Sequence, residues 1–249
     1  MLAPLRIAMR VDAVVSWFLI CLPLHLLHKL TPGPSPWPRR FLKGAATALR
    51  LDVRVEGVPA GPRTLLLPNH VSWLDIIVIG GATGCAFVSK DDLGSPLVHW
   101  LADQNATVYV KRSHVKGAKD QAIALAKALE RDKPVAVFPE GTTSPGTHLL
   151  PFRSTLLEAA NYAGKDVVLR PVVIDYGTAA PDIAWCQEPA LRNARRVLGR
   201  KGKLAVTLRL LDPLDRSGDR KQLAAEARAA IAQGLGFTLD QPSPIGAAR

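Results

Sequence analysis

The stretch TLLLPNHVSWLDIIVIGG at residues 64–81 places a histidine and a carboxylate between two apolar runs. His70 follows the first run, and Asp75 interrupts the second. A histidine with an ordinary pKa of about 6.5 can take a proton from an alcohol at neutral pH. A carboxylate that accepts a hydrogen bond from one ring nitrogen fixes the tautomer and leaves the other nitrogen basic. His70 and Asp75 are therefore a candidate base dyad for activating a hydroxyl group.

The spacing of the two residues restricts how they can meet. Residues five apart on one continuous helix point about 140° apart, so His70 and Asp75 would not touch there. They can meet if His70 lies in a loop and Asp75 points back from the first turns of a helix. An unpaired carboxylate among Leu74, Ile76 and Ile77 would be costly to bury, and His70 is the nearest partner in sequence. A histidine at a helix start beside an incidental carboxylate is the alternative that these two residues leave open.

The elements around the dyad alternate between β-rich and helical runs. Predicted strands cover residues 53–56, 64–67, 86–89, 107–110, 134–138, 167–174 and 204–211. Predicted helices cover residues 73–79, 96–102, 116–131, 152–163 and 220–235. This alternation predicts an α/β fold, a mixed sheet flanked by helices. Polar clusters follow three strands, at residues 70, 111–112 and 139–142, and sites gather at strand ends in such folds.

The N-terminal residues predict a membrane-associated segment. Residues 13–27 are apolar apart from Ser16 and His25, and as a helix they would be about 22 Å long, short of a ~30 Å bilayer core. We expect a kink at Pro23. An uncleaved anchor, tilted across the bilayer or dipping into one leaflet, fits better than a signal peptide because no small-residue cleavage site follows. Residues 37–49 predict a second helix, either interfacial on anionic headgroups or packed on the core.

Composition limits the function classes. The net charge of +11 favours acidic partners, namely nucleic acid, anionic lipid or phosphorylated substrates. Aromatic residues, at 6%, do not interleave with basic ones, which argues against a nucleic-acid groove. The three cysteines form no CxxC pair, and no third metal ligand accompanies His70 and Asp75. No G-x-S-x-G elbow is present, and Ser72 is predicted to be a helix N-cap rather than a nucleophile.

Two motifs in order resemble the glycerolipid acyltransferase superfamily, whose best-known members are lysophosphatidate acyltransferases. They are Asn69-His70-x-x-x-x-Asp75 and FPEGT at residues 138–142, and the resemblance covers about residues 53–175. It implies transfer of a fatty acyl group from acyl-CoA or acyl carrier protein to a hydroxyl of a lyso-lipid, at a membrane, with no metal or other cofactor. It also implies that His70 is the general base and that Asp75 orients it.

The resemblance assigns the acceptor site to several residues: Lys111, Arg112, Glu140, Gly141 and Thr142. One position departs from the family, because Thr143 stands where an arginine normally helps to hold the acceptor phosphate. Threonine cannot form a bidentate charged contact, and Arg153 or Arg112 are the candidate replacements. Lysophosphatidate is the preferred acceptor, and phosphate-free lyso-ornithine lipid is the alternative. A basic peripheral membrane or nucleic-acid binding protein without catalysis is the rival from another class.

The chain is thus predicted to divide into an anchor at residues 1–50, an acyltransferase domain at 51–240 and a loose tail at 241–249. Its basic residues predict the inner (cytoplasmic) membrane, with the catalytic domain facing the cytoplasm. The basic run at residues 192–203 predicts a solvated face, or else a contact with anionic lipid or acidic carrier protein.

Overall fold

The computed structural model describes residues 2–90, 96–110, 117–164 and 166–239. Lys111 and Arg112 lie outside the described residues, so their assignment to the acceptor site stays a prediction. The predicted tail at 241–249 lies outside them as well.

Seven strands form one mixed sheet in the order β1-β7-β6-β2-β5-β3-β4. They are β1 Leu51–Glu56, β2 Thr64–Pro68, β3 Ala86–Lys90, β4 Val108–Val110, β5 Val135–Ala136, β6 Val168–Asp175 and β7 Leu204–Leu210. The β6–β7 pair is antiparallel, and the other pairs are parallel. The predicted mixed sheet is confirmed, and each predicted strand has a counterpart, although β5 is shorter than residues 134–138.

Nine α-helices accompany the sheet in the described part of the chain: α1 Ala3–His28, α2 Trp37–Ala48, α3 Leu74–Thr83, α4 Pro96–Gln104, α5 Gly117–Leu129, α6 Ala159–Tyr162, α7 Ala180–Ile183, α8 Ala190–Gly199 and α9 Arg220–Leu235. The single helix predicted at residues 152–163 is wrong. The backbone N–H of Arg153 donates to the Pro139 carbonyl, 2.8 Å away, and a 3₁₀ turn at Ser154–Glu158 precedes the short α6. Sequence patterning did not predict α7 or α8.

The central strand β2 is buried on both faces, as expected of a strand between parallel neighbours. Leu66 packs into one hydrophobic cluster with α3, whereas Leu65 and Leu67 face a second cluster with α5 and α9. All three leucines are fully buried. The apolar run that stops at Asn69 is therefore a central strand, and its end delivers the following loop to the edge of the core.

The first two helices pack on the catalytic part of the chain. α1 has 26 residues, so at about 1.5 Å per residue it is roughly 39 Å long. The apolar stretch at residues 13–27, which by itself is short of the bilayer core, is thus part of a longer helix with enough length to cross a membrane. It is the one helix among the described residues with the length and apolar composition to do so. α1 meets α2 through an edge-on contact of Phe18 and Phe41, with ring centroids 5.5 Å apart.

α2 in turn lies close against α3. A Cβ on Gly81 of α3 would come within 2.9 Å of the backbone nitrogen of Lys43, so the two helices approach at a residue without a side chain. Ala46 and Leu49, at the end of α2, are buried in the same cluster as the sheet. The burial of Ala46 and Leu49 agrees with the expectation that this helix packs on the core rather than on lipid headgroups.

Candidate active site

The loop between β2 and α3 is fixed at its first residue. The Asn69 side chain donates to the Ile174 carbonyl on β6 at 3.0 Å, and its oxygen accepts from the Ile174 N–H at 2.8 Å. This pair continues the β2–β6 pairing for one more residue with side-chain atoms. The position of His70, the next residue, is therefore set by the central strands.

His70 and Asp75 meet as the sequence predicted, one in the loop and the other in the first turn of α3. His70 Nδ1 and Asp75 Oδ2 are 2.8 Å apart. The same carboxylate oxygen accepts the backbone N–H groups of Val71 and Ser72, at 2.7 and 2.9 Å. Asp75 therefore binds the backbone N–H groups of the two residues that follow His70 and fixes the loop to the start of α3. The predicted N-cap role of Ser72 is wrong, because α3 begins at Leu74 after Trp73.

Tyr176 completes the surroundings of the carboxylate, and sequence reasoning missed it. Its hydroxyl donates to Asp75 Oδ1 at 2.7 Å. Asp75 is fully buried and accepts four hydrogen bonds in all. Four donors compensate a buried ionised carboxylate for its lost water. Burial, reinforced by the charge of Asp75, raises the pKa of Tyr176 well above its usual value, so it remains a donor.

The His70 ring stacks on Phe138, with centroids 4.0 Å apart and planes inclined by 23°. Phe138 is in turn parallel to Phe87, at 6.5 Å. The His70 side chain is 17% exposed. Within the described residues its Nε2 has no hydrogen-bond partner. Because Nδ1 points at a carboxylate, the tautomer with the proton on Nδ1 fits, and Nε2 then presents a lone pair.

Glu140 also holds the His70 loop, through hydrogen bonds to the backbone. Its Oε1 accepts the His70 backbone N–H at 2.7 Å, and its Oε2 accepts the Leu150 N–H at 2.9 Å. Burial raises the pKa of Glu140 to about 7, and the two N–H groups act against that rise. The carboxyl group therefore joins the His70 loop to the chain around Leu150. In this structure both oxygens are occupied by backbone donors.

Gly141 and Arg153 are neighbours in the structure. Both are residues that the sequence analysis assigned to the acceptor site. Gly141 has a φ of +70°, a conformation that favours glycine, and a Cβ there would lie 3.0 Å from Arg153 Nε. The exposed Arg153 side chain thus lies across the turn. Thr142 is exposed beside it. These three residues lie next to Glu140 in the structure.

Thr143 makes a contact that sequence reasoning did not anticipate. Its hydroxyl donates to the carbonyl of Trp185, in the segment between α7 and α8. The Trp185 N–H donates to the Val71 carbonyl at 2.9 Å, and the Ser144 N–H donates to the His70 carbonyl at 2.7 Å. Thr143 therefore helps to tie three segments together around His70. In the described part of the chain, no group of three or more His, Cys, Asp or Glu could hold a metal ion.

Comparison with known proteins identifies the class of enzyme. Residues 50–175 match the family described as Acyltransferase. This chain belongs to the acyltransferase family. The lyso-ornithine lipid O-acyltransferase of Pseudomonas aeruginosa is 34% identical over 214 residues, which cover 81% of this chain and 79% of the relative. The protein of the same name from Rhodobacter capsulatus is 31% identical over 93% of this chain and 90% of its own length.

Other matches name a different acceptor. The 1-acyl-sn-glycerol-3-phosphate acyltransferase of Neisseria gonorrhoeae is 33% identical over 129 residues, 51% of each chain. The crystal structure of the 1-acyl-sn-glycerophosphate acyltransferase PlsC from Thermotoga maritima shares the fold. Its TM-score is 0.67 at 20% identity, covering 94% of this chain and 96% of that one. The acyltransferase is therefore an enzyme that acts on lysolipids, and its relatives carry two acceptor names.

Proposed function

We propose that this acyltransferase moves a fatty acyl group from a thioester to the free hydroxyl of lyso-ornithine lipid, with His70 as the general base. The observation that carries the chemistry is the 2.8 Å contact between His70 Nδ1 and the buried Asp75 carboxylate. Nε2 takes the proton of the acceptor hydroxyl while its oxygen attacks the thioester carbonyl. The new C–O bond forms, the C–S bond breaks, and the leaving thiolate receives the proton from the imidazolium. The negative charge of Asp75 stabilises that imidazolium.

An apolar cavity supports a fatty substrate. It has a volume of about 500 Å³ and lies between α1, α2, α3, β3 and α4. Its lining includes Val14, Phe18, Phe41, Ile76, Phe87 and Leu101. Phe87 joins this cavity to the reacting group, since it is parallel to Phe138, on which His70 stacks. A fatty chain held there would have its head near the base, and its burial would supply binding free energy.

The sequence analysis ranked lysophosphatidate first. Two observations favour lyso-ornithine lipid instead. Thr143 carries no charge at the position of the family arginine, and its hydroxyl is engaged by the Trp185 carbonyl. The relatives from Pseudomonas aeruginosa and Rhodobacter capsulatus, which match 81% and 93% of this chain, are named lyso-ornithine lipid enzymes. The ornithine carboxylate needs one cation, and the exposed Arg153 beside Gly141 suits it.

Lysophosphatidate is the second candidate acceptor. The match to the gonococcal 1-acyl-sn-glycerol-3-phosphate enzyme supports it. A phosphate monoester carries nearly two charges and calls for at least two cationic side chains. Arg153 would need Lys111 or Arg112 as the second. Neither acceptor requires a metal or a further cofactor, and the co-substrate is acyl carrier protein or CoA carrying the acyl chain.

We place the enzyme at the cytoplasmic face of the inner membrane, with α1 embedded in one leaflet rather than crossing it. Both ends of α1 are bonded to the catalytic part of the chain. Arg10 donates to the carbonyls of Leu198 and Gly202, and Lys29 donates to Gln104 at 2.6 Å. The other side of α1 exposes a row of apolar side chains: Leu2, Leu5, Met9, Val15, Leu19, Ile20, Leu24 and Leu27. A helix that is bonded to the rest of the chain on one side and exposes apolar side chains on the other suits the membrane interface.

A competition assay tests the acceptor. The two lyso-lipids are offered together to the enzyme in membranes, with one acyl thioester. We expect lyso-ornithine lipid to be acylated at least about tenfold faster, a difference of about 1.4 kcal/mol in transition-state binding. A preference for lysophosphatidate would reject this acceptor while leaving acyl transfer intact.

Position 143 can be tested in the same assay. Thr143→Arg should move the ratio toward lysophosphatidate, because it adds a cation and removes the contact with Trp185. Thr142→Arg adds the same charge at the adjacent exposed threonine and is the matched control. An equal shift in both variants would mean that charge alone, and not position 143, selects the headgroup.

A further inference from the structure

One surface of the enzyme is strongly basic and has no role in the reaction described above. Residues 189–211 contain no acidic residue. Five cationic residues of this run are exposed, and four of them, Arg192, Arg195, Lys201 and Lys203, are grouped here. These four are called the basic face below. Leu191, 64% exposed, lies beside the two arginines.

The other arginines of this region have structural contacts and are not part of the basic face. Arg196 donates to the carbonyls of Asp182 and Ala184 and pairs with Glu188. Arg200 donates to the Val197 and Leu49 carbonyls. These contacts fix α8 on the domain, so the exposed charges sit on a rigid helix and the turn after it.

The helix that carries the basic face is hydrogen-bonded to Trp73, just after the His70 loop. On its inner side Asn193 is fully buried and accepts the indole N–H of Trp73 at 2.9 Å. The Asn193 amide also donates to the Ala184 carbonyl at 2.9 Å, next to the Trp185 contacts with the His70 loop. A partner bound to the outer side of α8 would therefore be connected through that helix to the segments around His70.

The position of α1 favours a water-soluble partner over the bilayer. α1 reaches α8 with Arg6 and Arg10, whose guanidinium groups donate to the Gly199 and Leu198 carbonyls. A Cβ at Gly199 of α8 would lie 3.7 Å from the Ile7 side chain, and the exposed Leu5 and Met9 are each two residues from Ile7, on the opposite side of α1. The proposed membrane surface of α1 is therefore turned away from its contact with α8.

We propose that the basic face is the docking surface for an acidic acyl carrier protein, which presents its pantetheine-linked acyl chain to His70. This partner rests on the proposed acyl transfer, which requires a thioester donor. An acidic protein supplies the complementary charge, and Leu191 offers an apolar contact between the cationic groups. Attraction of this kind raises the rate of encounter and weakens as salt screens it.

Charge reversal tests the docking surface. The double variant Arg192→Glu/Arg195→Glu is assayed in the full-length enzyme with acyl carrier protein and, separately, with an uncharged acyl-pantetheine thioester. We expect KM for the acyl carrier protein to rise at least about tenfold with little change in kcat, as rim charges act on encounter. Activity with the uncharged donor should stay within twofold of wild type, and Arg192→Lys/Arg195→Lys should behave as wild type.

Two further measurements distinguish the carrier protein from other partners of the basic face. Lys119→Glu/Lys127→Glu makes the same charge change on the exposed side of α5 and should leave KM for the carrier unchanged. An unchanged KM in the α8 double reversal would overturn the proposal. So would loss of binding to phosphatidylglycerol vesicles with unaltered carrier kinetics, since the face would then be a membrane contact. If wild type transfers the acyl chain from neither the carrier protein nor the uncharged thioester, the acyl-transfer proposal itself fails, which is a separate result.

Discussion

At the scale of single residues, His70 is the group on which the proposed chemistry depends. His70→Ala should lower acyl transfer by a factor of about 10² or more, because the variant lacks the imidazole that is proposed to take the proton of the acceptor hydroxyl. The variant should keep its fold, since the loop is also held by Asn69 and Glu140. Turnover in membranes and the thermal midpoint are the two measurements. His148→Ala removes an exposed histidine and should be neutral. Near-normal turnover of a folded His70 variant would end the assignment.

Tyr176 is predicted to position Asp75 and to set how strongly the Asp75 carboxylate stabilises the imidazolium of His70. Tyr176→Phe removes the donor to Asp75 Oδ1 and leaves a buried carboxylate oxygen without that partner. The remaining charge acts more strongly on the imidazolium, so the acid limb of the pH profile of kcat/KM should move to higher pH. We expect kcat to fall about tenfold, less than for loss of the base.

The control for this change is Tyr162→Phe, at a tyrosine that is 44% exposed. It should alter neither the pH profile nor kcat. A Tyr176→Phe enzyme with lower stability but an unshifted acid limb would show that the tyrosine serves packing alone.

At the scale of elements, the close approach of α2 and α3 depends on Gly81. A Cβ there would meet the backbone of Lys43 at 2.9 to 3.0 Å, and a backbone cannot rotate away as a side chain can. Gly81→Ala should therefore separate the helices and cost about 1–3 kcal/mol, a typical penalty for overpacking. Because α3 carries Asp75, turnover should fall along with stability.

Gly61→Ala provides the comparison, because nothing lies within 4 Å of a Cβ at Gly61. Denaturation midpoints in detergent should differ between the two variants in the stated direction. Equal midpoints would mean that α2 shifts without cost, and the tight fit would then carry no stability.

The elements also show what the sequence could and could not predict. Strand–helix alternation predicted the sheet because its central strands are buried on both faces and read as apolar runs. The dyad was predictable because Asp75 needed a partner nearby in sequence. α8 was missed because its run of basic residues was taken as a solvated face, although the helix buries Asn193 and Val197 on its inner side. The Tyr176 contact joins residues 101 apart, and no local pattern encodes such a pairing.

At the scale of the whole molecule, α1 is the element that we propose to hold the enzyme on the membrane. The length of the helix alone would allow a span, but the bonds from Arg10 and Lys29 to the rest of the chain favour a helix embedded along the membrane surface. Embedding the exposed row instead buries apolar side chains at about 25 cal/mol per Å² while those polar contacts persist. The row, and not the basic residues alone, should hold the enzyme on the membrane.

Leu19→Lys/Leu27→Lys places two charges in the exposed row, where both leucines are at least 60% exposed in water. Embedding lysine is costly, so this variant should move from the pelleted to the soluble fraction at moderate salt, and its turnover on membrane-borne acceptor should fall. Val58→Lys changes an equally exposed apolar residue outside α1 and should remain in the pellet. Wild type should resist extraction by high salt, which screens charges but not hydrophobic insertion. If high salt alone releases wild type, electrostatics holds the enzyme, and α1 lies on the headgroups rather than among the acyl chains.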